Sequence, residues 1–553
     1  MRTEETAPIA APRGTLTGLF VALALTAGVE IALAARSPLI AKDGVTFIEV
    51  AQQLAVSPIE TIRASVQHPG YPAMILAARR VIGLFGPVDD LSAWIWAARA
   101  PVMLFGLLNV LVFWCWVRRA FDNRVAGIAA VFLAILPVFC ESAADTMSDA
   151  PHLFFYLLSA WLITEGMVRR RFWFFPLAGA ASGLAYWIRP EGLAPVVVGA
   201  GVIALLAVFG REKPLRALAW LAGLLIATGI VAAPYTCLKG KLTDKKDLST
   251  LVRSESNEQS GRSVTGAPPA APPGPVAWQP TPVPAVSQPA PGPAASQPTP
   301  APVAVQPVPR SGRLVALANA VGMLAMQWTV GLRYFITWLV AMGFVFPGAP
   351  KAQPRPKLFL AALAGFNIVL LILLYLVAGY IAGRHTMPLL CVSLAWAGSG
   401  TIWLGGKLSG LLASRSAATT RLSPGLLAGL LVAGSVLGLL PRSLRPLHEH
   451  ARPVLQAARW IGDHAQPGDT LLTNTCYGTF YSRVPGRVMQ VGETFPASFK
   501  QDLRWPYRFV LLDRTASNFQ QVQTPELLKS HVLVKIAGLP DDNPIVLESR
   551  PPR

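Results

Sequence analysis

The fold is decided by stretches such as residues 193–236, which read LAPVVVGAGVIALLAVFG-REKP-LRALAWLAGLLIATGIVAAPYT. Two apolar runs, 193–210 and 215–236, flank a short loop that contains Arg211 and Lys213. An almost uncharged run of about 18–25 residues is long enough to cross a hydrocarbon core of about 30 Å. Because the same alternation of apolar run and basic loop recurs along the chain, it predicts a protein with many membrane-spanning helices.

The composition of the whole chain agrees with this pattern. Of its 553 residues, 53% are hydrophobic and only 14% are charged, and the mean hydropathy is +0.46. Soluble globular proteins carry about a quarter of charged residues, because their surface faces water. The net charge of +19 resides largely in short loops between apolar runs. We therefore interpret it as the positive-inside signal of membrane topology and not as a nucleic-acid-binding surface.

About eleven spanning segments are predicted, with the approximate bounds 15–35, 91–117, 123–140, 150–168, 172–189, 193–210, 215–236, 313–345, 358–380, 386–404 and 424–441. Residues 71–86 are a candidate for a further, partly embedded helix. The basic loops, among them Arg118-Arg119 and Arg169–Arg171, then share one side of the membrane. This side is predicted to be the cytoplasm, which also receives residues 1–14, whereas 442–553 are extracytoplasmic. The first apolar run lacks a small-residue cleavage site and is predicted to remain as an anchor.

A proline-rich stretch interrupts the membrane region at 263–310. Sixteen of the 42 residues from Pro268 to Pro309 are proline, and there is no charged residue between Arg262 and Arg310. Proline removes backbone donors and fixes φ, so this stretch is predicted to be an extended or disordered insertion. We favour a tolerated loop insertion over a ligand for a proline-binding module.

The C-terminal residues 442–553 have the pattern of a small α/β domain. A helical stretch at Ala451–His464 precedes short apolar runs that are typical of strands. These runs are Thr470–Thr473, Val488–Val491, Phe509–Leu512, Val532–Ile536 and Ile545–Leu547. The region contains no glycine-rich phosphate-binding motif and no nucleophile elbow.

Polar side chains at the ends of apolar segments are the candidates for function, because ionisable groups at membrane depth are costly. Most of these candidates fall on the predicted outer side: Lys42, Asp43, His68, Tyr71, Glu141, Asp145, Asp149, Arg189, Glu191, Arg384 and His385. Each has a structural alternative, such as a helix cap, a rigid turn, an interfacial charge, a local ion pair or a snorkelling anchor. Their common side predicts one outward-facing site, since a transport path would need such groups at mid-depth.

The order of these motifs resembles the GT-C class of integral-membrane glycosyltransferases, in particular the family-39 group around protein O-mannosyltransferases and bacterial lipid A aminoarabinose transferases. The resemblance lies in five short motifs: Lys42-Asp43-Gly44, His68-Pro69-Gly70-Tyr71-Pro72, Glu141…Asp145…Asp149-Ala150-Pro151, Arg189-Pro190-Glu191-Gly192 and Gly383-Arg384-His385…Pro388. It covers a GT-C-like domain at about 15–441. The chain departs from the pattern at Gly70, where the group has proline, in the single acid at Asp43, and in the proline-rich insertion.

The resemblance implies transfer of a sugar from a polyprenyl-phosphate carrier to a hydroxyl on the outer face, the acceptor being a lipid, glycan or protein. Asp43 would be the general base. Arg384 and Arg189, with His385, would stabilise the leaving phosphate. The other candidates would bind substrate, with His68 and Tyr71 lining the pocket for the sugar or acceptor. A multi-pass transporter or lipid flippase is the main alternative, but it would be expected to show internally repeated halves.

Metal binding is left open by the sequence. The five cysteines show neither CxxC nor Cys/His spacing, so they predict no disulfide framework and no zinc site. Asp43 with Glu141 or Asp145 could hold a divalent cation, but the resemblance also covers enzymes that need none. No cofactor is therefore assigned.

Overall fold

The computed structural model describes residues 16–84, 90–242, 310–346, 354–415, 422–489, 507–516, 531–540 and 543–549. The chain divides into two compact units, Met1–Ser256 with Leu314–Leu447, and Asn257–Arg313 with His448–Arg553. The predicted N-terminal segment 1–14 and residues 263–309 of the predicted insertion lie outside the described residues.

The first unit is built from helices. They are α1 (Thr17–Arg36), α2 (Lys42–Val56), α3 (Pro58–Ala64), α4 (Gly70–Gly83), α5 (Asp90–Ala120), α6 (Asn123–Ile135), α7 (Pro137–Ala144), α8 (Asp149–Arg169), α9 (Phe174–Ile188), α10 (Ala194–Val208), α11 (Pro214–Lys239), α12 (Arg310–Gly331), α13 (Phe335–Val345), α14 (Pro354–Ala378), α15 (Met387–Arg415) and α16 (Pro424–Ser443). Two short 3₁₀ turns, Pro190–Leu193 and Gly383–Thr386, precede α10 and α15.

The predicted fold class is confirmed, and the number of about eleven spans stays a prediction. Among the described residues, eight helices are long and apolar enough to cross a membrane, or nine if the bent pair α6–α7 forms one span. The predicted segments 150–168 and 172–189 correspond to α8 and α9, which are not among these eight. Polar residues such as His152 and Glu165 lower the hydropathy of α8, and α9 has only 15 residues. The candidate partly embedded segment 71–86 is helical as α4.

Two predicted segments are interrupted. The segment 123–140 bends by 66° between α6 and α7. Pro137 stands at the first position of α7, where its missing N–H and its restriction of the preceding residue favour a new helix start over a continuous one. The segment 313–345 divides into α12 and α13 at Arg333 and Tyr334, which both have positive φ. The helix that begins at this bend, α7, is followed directly by Asp145, its C-cap residue.

The helices of the first unit pack around a large apolar core with a few buried polar contacts between them. The indole N–H of Trp116 on α5 donates to the hydroxyl of Thr164 on α8 at 2.9 Å. The amide of Asn109, also on α5, donates to the carbonyl of Ala150 at 2.9 Å. Such hydrogen bonds between helices replace the water that an apolar environment cannot supply. They hold α5 against α8 and so fix the start of α8.

The second unit is a small α/β domain, as predicted. It contains α17 (Arg452–His464), α18 (Cys476–Ser482), β1 (Leu471–Thr473), β2 (Gly486–Val488), β3 (Phe509–Leu512), β4 (His531–Leu533) and β5 (Ile545–Ser549). The strand order is β2-β1-β3-β5-β4, with β1 parallel to β2 and β3, and with β5 antiparallel to β3 and β4. Buried apolar residues such as Leu472 and Val510, which are register partners, form the core of the sheet.

Candidate active site

An ion pair joins two residues that are 341 positions apart in the chain. Asp43 lies in the first turn of α2, and Arg384 lies in the 3₁₀ turn before α15. Nη1 of Arg384 donates to Oδ2 of Asp43 at 2.6 Å. Both side chains remain accessible, with exposed fractions of 45% for Asp43 and 34% for Arg384. The predicted base and the predicted phosphate ligand are therefore in direct contact at an exposed surface.

A second group of charges surrounds Arg189, which links the end of α9 to the 3₁₀ turn Pro190–Leu193. Nη1 of Arg189 donates to Oδ1 of Asp149, the first residue of α8, and Nε lies 3.5 Å from Oε2 of Glu191. The Arg189 side chain is only 11% exposed. Burial opposes its charge, but the carboxylates of Asp149 and Glu191, together with Asp43, outweigh burial and raise the pKa of Arg189.

The two groups lie within electrostatic range of each other. The charge of Asp43 acts on Arg189, and the guanidinium groups of Arg189 and Arg384 both act on the imidazole of His385. Nδ1 of His385 accepts a hydrogen bond from the backbone N–H of Ala382 at 3.3 Å, which closes the 3₁₀ turn. We call this set the Asp43 cluster, and its members are Asp43, Asp149, Arg189, Glu191, Arg384 and His385.

The structure places His68 and Tyr71 in the helical interior. His68 is buried, and its Nδ1 lies 2.8 Å from the carbonyl oxygen of Tyr186. Its ring packs against the rings of Tyr186 and Tyr235. The hydroxyl of Tyr71 donates to the carbonyl of Ala98 at 2.9 Å, and the whole residue is buried. These contacts hold the two side chains in the helical interior, and their assignment to a pocket for sugar or acceptor stays a prediction.

The glycine that departs from the family pattern has a structural reason. A Cβ atom at Gly70 would lie 2.7 Å from the carbonyl oxygen of Trp187 and 2.8 Å from the Ile188 side chain. Proline would place ring atoms in this space, and the contact would then be too close. Because Gly70 lacks a side chain, the start of α4 packs directly against the last turn of α9. That turn immediately precedes Arg189.

The substrate-binding role of the acidic loop after α7 stays a prediction, and the structure shows which contacts its side chains make. Asp145 is buried, and its Oδ1 accepts hydrogen bonds from the backbone N–H groups of Ala41 at 2.9 Å and Thr146 at 2.7 Å. Ala41 is the N-cap residue of α2 and immediately precedes its first residue, Lys42. Glu141 lies on the exposed side of α7, one turn before Asp145. By binding Ala41, Asp145 helps to fix the start of α2 and, with it, the position of Asp43.

Metal binding by Asp43 with Glu141 or Asp145 stays a prediction. The Asp43 carboxylate is paired with Arg384, and Oδ1 of Asp145 is occupied by backbone donors. Within the described part of the chain, no group of three or more His, Cys, Asp or Glu side chains is arranged to hold a metal ion.

Sequence reasoning did not identify Arg99, although the signal was present. Arg99 is the one charged residue within the apolar run 91–117, and such a residue in a spanning segment is a functional candidate by default. In the structure it is buried and donates hydrogen bonds to backbone carbonyls of the segment that joins α1 to α2.

Comparison with known proteins supports the resemblance that the motifs indicated. Residues 89–235 match the model of the family described as dolichyl-phosphate-mannose-protein mannosyltransferase. The matched region contains Asp149 and Arg189 but neither Asp43 nor Arg384. No curated protein sequence matches the chain.

The fold is shared with solved membrane proteins at low sequence identity. The structure of ArnT from Cupriavidus metallidurans bound to undecaprenyl phosphate is 15% identical, with a TM-score of 0.56 over 97% of this chain and 98% of that chain. The archaeal oligosaccharyltransferase AglB from Archaeoglobus fulgidus, in complex with an inhibitory peptide and a dolichol-phosphate, is 11% identical, with a TM-score of 0.52 over 90% and 69% of the respective chains. The predicted GT-C architecture is confirmed by this shared fold, and the apolar helices make the chain an integral membrane protein.

Proposed function

We propose that the protein transfers a sugar from a polyprenyl-phosphate-linked donor to a hydroxyl of an acceptor, at the membrane face predicted to be outer. The observation that carries this proposal is the contact between Asp43 and Arg384. It joins an accessible carboxylate in the first turn of α2 to an accessible guanidinium at the start of the apolar segment Gly383–Ser414. The similar ArnT and AglB structures hold undecaprenyl phosphate and dolichol-phosphate, respectively, which supports a lipid phosphate as part of the donor.

Arg384 is the group that we assign to the donor phosphate. Guanidinium groups bind phosphate oxygens through paired, charge-assisted hydrogen bonds. Arg384 is more accessible than Arg189, whose guanidinium is already held by Asp149 and Glu191. Arg189 would therefore contribute positive charge without contacting the phosphate. Arg384 would contact the phosphate and stabilise the negative charge that develops on it as the sugar leaves.

Asp43 is the proposed general base. Its Oδ2 is bonded to Arg384 in the structure, and a phosphate that binds Arg384 would compete for the same N–H groups. The carboxylate would then be able to accept the proton of the acceptor hydroxyl. The hydroxyl oxygen forms a bond to the anomeric carbon, while the bond between that carbon and the phosphate oxygen breaks and the phosphate keeps its electron pair. The products are the glycosylated acceptor and the polyprenyl phosphate.

The acceptor and the sugar remain broad classes in this proposal. The acceptor would be a lipid, glycan or protein that presents a hydroxyl near the membrane surface, and the sugar a hexose or a pentose. The AglB structure contains an inhibitory peptide together with a dolichol-phosphate, which supports a protein among the possible acceptors. The α/β domain of the second unit has no assigned contribution to the chemistry.

The experiment that tests the proposal uses purified protein in lipid nanodiscs. Polyprenyl-phosphate donors with radiolabelled hexoses or pentoses are added together with an envelope extract as the source of acceptors. We expect label to pass from at least one donor to an acceptor, with release of an equal amount of polyprenyl phosphate. If every donor stays chemically intact, the proposal is wrong. If intact donor instead crosses the bilayer of proteoliposomes, the protein is a flippase.

A further inference from the structure

Arg99 makes unusual contacts for a residue within a membrane-spanning helix. It lies on α5 and is only 5% exposed. Its Nη1 donates to the carbonyl of Ala34 at 3.1 Å, and its Nη2 donates to the carbonyls of Ser37 at 2.5 Å and Leu39 at 3.3 Å. One guanidinium group thereby binds three backbone carbonyls of a single short stretch of chain.

That stretch comprises the last turn of α1 and the linker that joins α1 to α2. Ser37, Leu39, Ile40 and Ala41 are all buried. The last carbonyls of a helix have no partners within it, and buried backbone groups must find partners elsewhere. Arg99 provides these partners and places a positive charge near the C-terminus of α1, where it is favoured by the helix dipole. The path of the linker therefore depends on Arg99.

The far end of the same linker is fixed by the loop after α7. Asp145 accepts the N–H of Ala41 at 2.9 Å. A Cβ atom at Gly44 would lie 1.8 Å from Oγ1 of Thr146, so the first turn of α2 packs directly against this loop. Asp43 lies between these two contacts. Its position is set by groups that do not belong to the Asp43 cluster.

A buried tyrosine connects the two anchors. Burial, followed by the charges of Asp145 and Asp149, raises the pKa of the Tyr71 hydroxyl well above its ordinary value, and the charge of Arg99 acts in the opposite direction. The hydroxyl is therefore close to all three charges, and it donates to the carbonyl of Ala98, the neighbour of Arg99.

We infer that Arg99 is a positioning residue for Asp43. It holds the linker so that the carboxylate at the start of α2 meets Arg384 and, in the reaction, the acceptor hydroxyl. This inference rests on the proposed function of Asp43 as the base. A displacement of about 1 Å at a reacting group can reduce a rate by about 10²-fold. Lysine would preserve the charge but not the planar fork, so it cannot bind the three carbonyls in the same way.

The kinetic test compares Arg99→Lys in two backgrounds, the natural sequence and Asp43→Asn. In the natural background we expect turnover to fall by about 10- to 100-fold, with donor KM and undecaprenyl phosphate binding within about twofold. In the Asp43→Asn background, Arg99→Lys should cause no further loss, because the group that it positions is already absent. Arg79→Lys is the matched control, since the Arg79 guanidinium pairs with the exposed Asp90 and lies over the ring of Trp94, and it should leave turnover unchanged.

A second measurement does not depend on activity. Cysteines are introduced at positions 43 and 384, and a short thiol-bridging reagent is added, with the 43–384 product identified by mass spectrometry. Cross-linking should be fast when residue 99 is arginine and at least about fivefold slower in Arg99→Lys.

Three results would overturn the inference: an equal loss from Arg99→Lys in both backgrounds, unchanged cross-linking, or full activity of Asp43→Asn. The first two would leave the proposed transferase function intact. Failure of the natural protein to transfer any sugar would instead contradict the proposed function, and cross-linking would still decide the position of Asp43.

Discussion

Two clusters of carboxylates and arginines lie at opposite ends of α8. They differ in how far their charged groups are accessible to an approaching ligand. One is the Asp43 cluster, which includes Asp149 at the start of the helix. The other, which we call the Glu212 cluster, consists of Arg170, Glu212, Arg216 and Arg355. It lies just beyond Arg169, where α8 ends. Asp149 and Arg169 are 20 residues apart, or about 30 Å at 1.5 Å per residue.

In the Glu212 cluster the carboxylate is enclosed by its partners. The side chain of Glu212 is 2% exposed, and its oxygens lie 2.7 Å from Arg216, 3.2 Å from Arg355 and 3.6 Å from Arg170. Burial opposes the charge of Glu212, but the N–H of Lys213 together with Arg170 and Arg216 outweighs burial and lowers the pKa of Glu212. The cluster joins three separate parts of the chain, and its carboxylate is almost completely buried.

The Asp43 cluster uses the same residue types and remains accessible. Asp43, Arg384 and Glu191 are each exposed by a third or more. Surface ion pairs of this kind contribute little to stability, about 0–1 kcal/mol. Residue type alone therefore does not distinguish a reactive site from an ion-pair cluster that only holds the structure together. What distinguishes them is whether an approaching ligand can replace a partner.

The largest effect is expected for Asp43→Asn. Asparagine keeps the shape of the side chain but cannot accept the proton of the acceptor, so turnover should fall by about 10²- to 10⁴-fold. Binding of the lipid-phosphate donor, measured by titration, should change little, because the phosphate is assigned to Arg384. Near-normal transfer by a correctly inserted variant would contradict the assignment of Asp43, and Glu141 or Asp145 would become the next candidates. Loss of donor binding that added divalent metal restores would instead identify Asp43 as a metal ligand.

A different pattern is expected for Arg384→Ala. A group that holds the phosphate before and during the reaction contributes to both donor binding and turnover, so both should weaken, with kcat/KM reduced by about 10²- to 10³-fold. Arg384→Lys is the matched control, which keeps the charge without the fork and should be less impaired. Normal donor affinity in Arg384→Ala would show that the phosphate binds elsewhere.

Glu212→Gln should have the opposite pattern of effects, because it should lower stability without reducing transfer. Transfer should stay within about twofold of the natural protein, whereas thermal stability should decrease, because removing one partner of a buried pair costs up to about 3–5 kcal/mol. Since the pKa of Glu212 is lowered by folding, its stabilising contribution is present above the ordinary value of 4.5 and is lost as the pH falls below it. The difference in unfolding midpoint between the two proteins should therefore shrink under acidic conditions. A difference that grows at low pH would contradict this account.

The smallest effect is expected for deletion of Pro268–Pro309, which lie outside the described residues. The cost of closing a loop changes only slowly with its length, so membrane insertion and transfer should be largely retained. Transfer assays on the inserted deletion variant provide the check. An inactive but correctly inserted protein would show that the proline-rich stretch has a function of its own.

Much of the fold follows from the sequence because apolar runs and their breaks are local signals. The run 91–117 became α5, and Phe509–Leu512 became β3 with the predicted bounds. The bend at Pro137 was missed because the apolar run continues across it. Proline changed the backbone there without changing the hydropathy.

The site could be predicted only in part, because its contacts join distant positions. Asp43 and Arg384 were identified as residue types at helix ends, but their direct contact depends on the packing of α2 against the turn before α15. The assignment of His68 and Tyr71 to a pocket stays a prediction, and their observed contacts with backbone carbonyls depend on how α4 meets α9 and α5. Arg99 was overlooked because a single charge did not interrupt the hydropathy of its segment.

The most direct test of the central claim measures release of polyprenyl phosphate in a single turnover by three proteins in the same nanodiscs. These are the natural protein, Asp43→Asn and Glu212→Gln, all assayed with one donor that the natural protein uses. The account predicts that Glu212→Gln releases the lipid phosphate at nearly the natural rate, whereas Asp43→Asn is slower by at least about 100-fold. Equal rates for the two variants, or an unimpaired Asp43→Asn, would contradict the claim that the accessible cluster is the site of chemistry.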